Sequence, residues 1–340
     1  MTLTSSDAMR RALQAVRAGR LGDATTLIQQ SLGGQEGLGG QEAPARPAAA
    51  KARSPKPAAQ PGRQRFSCDA GARDYLLHLP RDSSVPPRGL VLMLHGCTQT
   101  PEDFAIGTRM SAQAHAAGLA VIYAAQARGD NAQSCWNWFS RADQTRGRGE
   151  PAILSGMALA VAAEHGMPQG AIYVAGLSAG AAMAVILGRT YPEVFAAVGA
   201  HSGLPYGAAH TVPQAFAAMA GDSSARPVHS AATAARQVPT IVFHGSADAT
   251  VAAVNGDHII TDSLSGTAQS IQTGAQGHTA GRSFERMVSH GPCGTALAEH
   301  WRIDGLGHAW SGGDPKGSYA DAAGPDATAE MLRFFAATES

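Results

Sequence analysis

The sequence predicts an α/β fold, a mostly parallel, doubly wound sheet with helices on both faces. Two observations lead there. From Arg65 onward, β-like runs alternate with helical stretches, and the short runs LVLML and TIVF are apolar without interruption. A strand covered on both faces loses the in-and-out alternation of a half-exposed one. It reads instead as a continuous apolar run, as expected for a parallel sheet with helices packed on either side.

In chain order, Met9, Leu13 and Val16, then Leu21, Ala24, Leu27, Ile28 and Leu32, stand at helical spacing, with Gly19 and Gly22 between them. This predicts a short helical hairpin over residues 1–32. Its apolar stripe is too small to fold alone, so it must dock on the main domain, on a second copy or on another apolar surface. Residues 33–64 turn into Gly, Ala, Pro and scattered charge, a composition that buries too little apolar area to order itself and reads as a flexible linker. The remaining 65–340 is one large domain. Strands are expected at 73–79, 89–94, 120–124, 171–175, 194–200, 239–243 and 298–303, and helices at 103–117, 151–165, 179–191 and 325–336. The segment 204–238 fits neither pattern and is read as a cap over the sheet.

Composition narrows the function classes. The 26 basic and 26 acidic side chains cancel, so no electrostatic footprint points to nucleic acid or an anionic membrane surface, and the expected substrate is near neutral. The start of the chain, MTLTSSDAMRRALQAVRAGR, carries charge where a secretory peptide has an apolar core, and no apolar run is long enough to span a bilayer. A cytoplasmic location is therefore expected. Cys68, Cys97, Cys135 and Cys293 form no CxxC pair, so no zinc or thioredoxin-like motif is indicated.

Chemistry enters at Gly176-Leu177-Ser178-Ala179-Gly180. The pattern G-x-S-x-G alone is weak, but AIYVA before it reads as a strand and AAMAVILG after it as a helix. That is the tight strand-to-helix elbow that exposes a nucleophilic serine oxygen. The acid and base of such a site follow in the order Ser, Asp or Glu, His, each on a loop past a strand. VPTIVF leads into His244-Gly245-Ser246-Ala247-Asp248, and HWRIDG leads into Leu306-Gly307-His308-Ala309-Trp310. Asp248 is thus the expected acid, with Asp257 or Asp304 as substitutes, and His308 the expected base. His95 and His244 also end strands, but each precedes a glycine and is read as structural. The oxyanion donors are expected to be the Ala179 amide, just after the nucleophile, and the Cys97 amide, on the loop after the strand ending in Leu94. Cys97 as a catalytic thiol is disfavoured, because no histidine remains to activate it. Trp136, Trp138 and Trp310 sit in loops beside these motifs and are expected to form aromatic walls for substrate. Asn137 and Gln99 are read as ordinary solvated loop residues.

Taken together, LHGCTQ, SCWNWF, AGLSAG, HGSAD and GLGHAWSGG resemble the esterase family of poly(3-hydroxybutyrate) depolymerases, which is similar in turn to feruloyl and acetylxylan esterases. The resemblance spans roughly residue 66 to the C-terminus. It implies an α/β-hydrolase fold and ester cleavage through Ser178, Asp248 and His308, with the Cys97 and Ala179 amides as oxyanion hole. It also implies pairing of Cys97 with Cys135, which would leave Cys68 and Cys293 as a second pair. The resemblance to a secreted family makes an extracellular location the alternative to a cytoplasmic one, while the hairpin and linker are extra to that family's pattern. The chemistry needs no metal or cofactor. Expected substrates are polyhydroxyalkanoates or related oligoesters. The alternatives are feruloyl, acetylxylan or other small esters, then an amide hydrolase, a hydroxynitrile lyase or a non-catalytic binding module. The hairpin is a candidate for dimerisation or granule binding.

Overall fold

A computed structural model describes residues 62–80, 85–131, 133–222, 237–266, 270–292 and 294–338. The expected hairpin over 1–32 and almost all of the linker over 33–64 lie outside the described residues. The chain divides into two units, Met1–Arg63 and Gln64–Ser340, and the second is described below.

Ten strands form one sheet. They are β1 Gln64–Cys68, β2 Gly71–His78, β3 Gly89–Leu94, β4 Leu119–Ala124, β5 Ile172–Leu177, β6 Ala197–His201, β7 Thr240–Gly245, β8 Ile271–Thr279, β9 Arg282–His290 and β10 Ala296–Ile303. Their spatial order is β1-β2-β4-β3-β5-β6-β7-β10-β9-β8. The six central strands from β4 to β10 pair parallel, and the outer ones are antiparallel. The helices are α1 Pro101–Thr108, α2 Met110–Ala116, α3 Gly149–Glu164, α4 Ala179–Thr190, α5 Val212–Met219, α6 Val254–Ser263 and α7 Ala327–Ala336.

Every residue of β3, β4, β5, β6 and β7 is buried, which is why the apolar runs were continuous. Alternation persists in three dimensions. Leu90, Leu92 and Leu94 of β3 join a core with Leu154, Met157 and Met183 of α3 and α4. Val91 and Met93 face the opposite core with Phe104, Met110, Met331 and Phe334 of α1, α2 and α7. Between β3 and β5 the strand order reverses direction. Such a switch point opens a crevice at the carboxyl ends of the strands, where ligands bind in open α/β sheets.

Several expectations need correction. The helix expected over 103–117 is two helices, interrupted at Arg109, whose φ is 54°; its guanidinium reaches Gly312 O and Asp326. The antiparallel hairpin of β8 and β9 carries too little apolar alternation to be recognised, since β8 is exposed along nearly its whole length. Neither α6 nor α5, the latter inside the segment read as a cap, is among the helices the sequence predicts. α5 is opened by Thr211, whose side chain accepts from the Gln214 N–H beside a proline in the first turn. Residues 223–236 of that segment lie outside the described residues.

Candidate active site

Ser178 sits between β5 and α4 with φ 58° and ψ −121°, a backbone conformation that non-glycine residues rarely adopt. Its N–H donates to His201 O at 2.9 Å, and its carbonyl accepts from the Ala182 N–H at 2.9 Å. The turn is pressed against the end of β3. A Cβ at Gly176 would lie 2.7 Å from Leu94 O, and one at Gly180 would overlap Leu94 O and lie 2.6 Å from His95 O. Both elbow glycines are therefore required by close backbone approach.

β7 and β10 are parallel neighbours, with Gly245 opposite Ile303, so the loops that follow them leave the sheet side by side. Asp248 on the first loop accepts the N–H groups of Thr250 and Val251 at Oδ1, both at 2.9 Å. His308 on the second donates from Nδ1 to Asp248 Oδ2 at 2.8 Å. That bond needs the proton on Nδ1, which leaves the Nε2 lone pair as the basic site. Asp257 is instead paired with Arg302, and the Asp304 backbone is bound to Ser283 and Arg282.

His201, which sequence reasoning did not single out, braces the two halves. It is fully buried, its carbonyl holds the Ser178 N–H, and its Nε2 accepts the Ser311 N–H at 3.0 Å. The elbow and the His308 loop thus hang on one residue. Among the described residues, no hydrogen bond joins Ser178 to His308. Burial and the neighbouring His244 and His308 hold the His201 imidazole down to about 3, so it stays neutral. Burial alone would raise the Asp248 carboxyl, but the hydrogen bond and charge of His308 and the Val251 N–H outweigh it and lower it. His244 is buried with Nε2 donating to Val251 O, and His95 accepts the Gln126 N–H at Nε2.

The loop after β3 closes on Ser178, with a Cβ at Gly96 falling 3.6 Å from Ser178 Cβ. The N–H of Gly96 donates to Gln99 Oε1, that of Thr98 to Gln133 O, and that of Gln99 to Gly96 O. Among these successive amides, Cys97 is the one with no such commitment. Ala179 begins α4, so its N–H is one of those without a partner inside the helix and carries the helix's positive end. Cys97 is bridged to Cys135, with Cα atoms 4.2 Å apart, which removes its thiol from any nucleophilic role.

The bridge to Cys68 is not formed. Cys68 is free and exposed on β1, and Pro292 and Gly294, flanking Cys293, lie in the β9–β10 connection across the sheet. At about 4.8 Å per strand, the seven strand steps from β1 to β10 exceed any disulfide reach. Cys293 itself is outside the described residues.

The three tryptophans are not the aromatic walls expected of them. Trp136 is fully buried and donates from Nε1 to His95 O at 3.0 Å, propping the loop after β3 from behind. Trp138 is buried edge-on to Phe139. Trp310 stacks on His201, meets Phe104 edge-on and donates to Thr328 Oγ1. Their loops fold inward, and proximity in sequence to a motif carries no information about which way a ring turns. Gln99 and Asn137, read as solvated, are clamps. Gln99 donates from Nε2 to Asp103 Oδ2 and Ser318 O. Asn137 donates from its N–H and Nδ2 to the buried Glu150, which also accepts from Gln126 and Arg73. Burial, then the nearby Asp143, pushes the Glu150 carboxyl up to about 7. Among the described residues no cluster of three or more His, Cys, Asp or Glu is arranged around a metal position, and no helix is long and apolar enough to cross a membrane.

A family model described as esterase PHB depolymerase matches residues 73–287. The chain is 34% identical over 254 residues to poly(3-hydroxyalkanoate) depolymerase C of Paucimonas lemoignei, covering 72% of this chain and 60% of that one. It is 32% identical over 160 residues to feruloyl esterase B of Neurospora crassa, covering 47% and 50%. It is 26% identical over 276 residues to poly(3-hydroxybutyrate) depolymerase of Ralstonia pickettii, covering 75% and 56%. The chain thus spans 60% or less of the length of each of these relatives. An acetyl xylan esterase from Aspergillus awamori superposes with a TM-score of 0.59 at 19% identity, covering 78% of this chain and 94% of that one, which shows a shared fold.

Proposed function

The chain belongs to the esterase PHB depolymerase family, and on that footing we propose that it is a serine esterase acting on polyhydroxyalkanoate or related oligoesters. The observation that carries this reading is the Asp248–His308 bond at the ends of two adjacent strands, joined through His201 to a strained Ser178 elbow. In the proposed mechanism His308 Nε2 takes the proton as Ser178 Oγ attacks the ester carbonyl. The Asp248 carboxylate stabilises the resulting imidazolium, and the amides of Cys97 and Ala179 receive the oxyanion. His308 then protonates the departing alcohol, and water, activated by the same imidazole, hydrolyses the acyl-enzyme.

A second reading, a feruloyl or acetylxylan-type esterase, is supported by the match to feruloyl esterase B and by the fold shared with an acetyl xylan esterase. Location is part of the proposal. Disulfides persist in oxidising compartments, so the Cys97–Cys135 bridge supports the extracellular alternative over the cytoplasmic one. The segment 1–32 is proposed to dock the enzyme on polymer granules or on a second copy.

The test is hydrolysis of p-nitrophenyl acetate, butyrate and octanoate, with release of 3-hydroxybutyrate from its oligomers, by the wild type and Ser178→Ala. Oligomer cleavage that vanishes in the variant supports the polyester reading. Short esters cleaved with oligomers untouched favours the second. No Ser178-dependent turnover on any ester sinks both.

A further inference from the structure

Tyr319 is 45% exposed, yet its backbone is held in the left-handed region at φ 51°, which a bulky side chain adopts when its surroundings impose it. Here they do. Ser318, just before it, is gripped by Asp103, which accepts both its N–H and its hydroxyl, and by Gln99, which donates to its carbonyl at 2.9 Å. Tyr319 O accepts the Trp310 N–H at 2.7 Å. The next residue, Ala320, pairs with Trp310 in a short parallel ladder of β11 Trp310–Ser311 and β12 Ala320–Asp321. Tyr319 is therefore tied on one side to the strand that starts two residues past His308, and on the other to the loop after β3.

Its side chain has two polar neighbours. The ring meets the His308 imidazole edge-on, centroids 6.3 Å apart. Its hydroxyl lies 3.4 Å from Thr98 Oγ1, and Thr98 itself stands at φ 69° beside the proposed oxyanion amide. Unlike Trp136 and Trp310, whose rings are fully buried in the core, Tyr319 keeps nearly half of its surface open beside His308.

Building on the esterase reading above, we propose that Tyr319 contacts substrate and sets specificity on the leaving-alcohol side of the site. Its ring forms the wall there, and its hydroxyl donates to the next ester carbonyl of an oligoester. The side follows from His308: the imidazole hands its proton to the departing alcohol oxygen, so what flanks it flanks the alcohol half of the substrate. A hydroxyacid oligoester alternates aliphatic groups with carbonyl acceptors, and a phenol presents both an apolar face and a donor. The alcohol of a methyl ester is too short to reach either.

The experiment compares methyl 3-hydroxybutyrate with a linear 3-hydroxybutyrate trimer on the wild type, Tyr319→Ala and Tyr319→Phe, with a separate aliquot of each labelled with a fluorophosphonate to verify an assembled Ser178 site. The expected result is that the trimer-to-methyl-ester ratio of kcat/KM falls about tenfold in Tyr319→Ala, through the trimer's KM, and about threefold in Tyr319→Phe. A ratio within twofold of wild type in Tyr319→Ala, or an equal loss on both esters, overturns the proposal while leaving the esterase reading intact. A wild type that neither labels nor cleaves either ester overturns both. If Tyr319→Ala does not label, Tyr319→Phe decides: an unchanged ratio there rejects the hydrogen bond to substrate.

Discussion

Ser178 is held in its strained conformation by neighbours without side chains. Replacing Gly180 by Ala drives a Cβ into the carbonyls of Leu94 and His95, and backbone cannot yield as a flexible side chain does. We expect Gly180→Ala to lose about 3 kcal/mol of stability, read by chemical denaturation, whereas Ser178→Ala should unfold at the wild-type midpoint. The same Ser178→Ala should lose on the order of 10⁴-fold or more in kcat on p-nitrophenyl butyrate. Asp248→Asn keeps the shape but cannot hold the His308 tautomer through a carboxylate. A loss of about 10³-fold to 10⁴-fold in kcat with little change in KM is expected by steady-state kinetics. A KM effect alone would mean that Asp248 binds substrate and does not orient the base.

At the scale of elements, the loops that carry the proposed catalytic residues are held from behind by buried polar contacts and one covalent bridge. The Cys97–Cys135 bridge spans a sequence separation of 38. Its reduction should cost about 4 kcal/mol by loop-closure entropy, seen as a lower Tm with reductant, and should loosen the loop that carries the proposed Cys97 oxyanion donor. Glu150 anchors the other arm of that bridge through Asn137. Its carboxyl is raised to about 7, first by burial and then by Asp143. The folded state therefore binds a proton that the unfolded state releases near the ordinary glutamate value, so stability from this residue is full below about 4.5 and is lost as pH rises through about 7. The lowered His201 and Asp248 act oppositely, losing stability as pH falls. The difference in unfolding free energy between wild type and Glu150→Gln isolates Glu150. It should shift against the wild type by up to about 3 kcal/mol between pH 4.5 and 7.5, and a flat difference would show that Glu150 is ionised throughout that range.

For the molecule as a whole, the switch between β3 and β5 decides where chemistry can occur, because it gathers the loop after β3 and the elbow after β5 at one crevice. The described fold from Gln64 onward carries every proposed catalytic residue. A chain starting at Gly62 should hydrolyse p-nitrophenyl butyrate within about twofold of the full chain. Its binding to polymer granules in a pull-down, or its dimerisation in sedimentation velocity, should be lost; retention of both would remove any role for 1–32 in docking.

The sequence by itself determined the parallel core, the elbow and the order of acid and base candidates. Continuous apolar runs and the strand-turn-helix context of Ser178 are local signals that depend on neighbours in the chain. Only the tertiary structure decided the rest. Whether Trp136 and Trp310 face substrate or core, whether Cys68 can reach a partner, and that Gln99, His201 and Tyr319 meet the loops around Ser178 and His308 all depend on contacts between segments far apart in sequence. A side chain's direction in a loop has no period to betray it, and a polar residue looks the same in sequence whether water or a buried backbone amide is its partner.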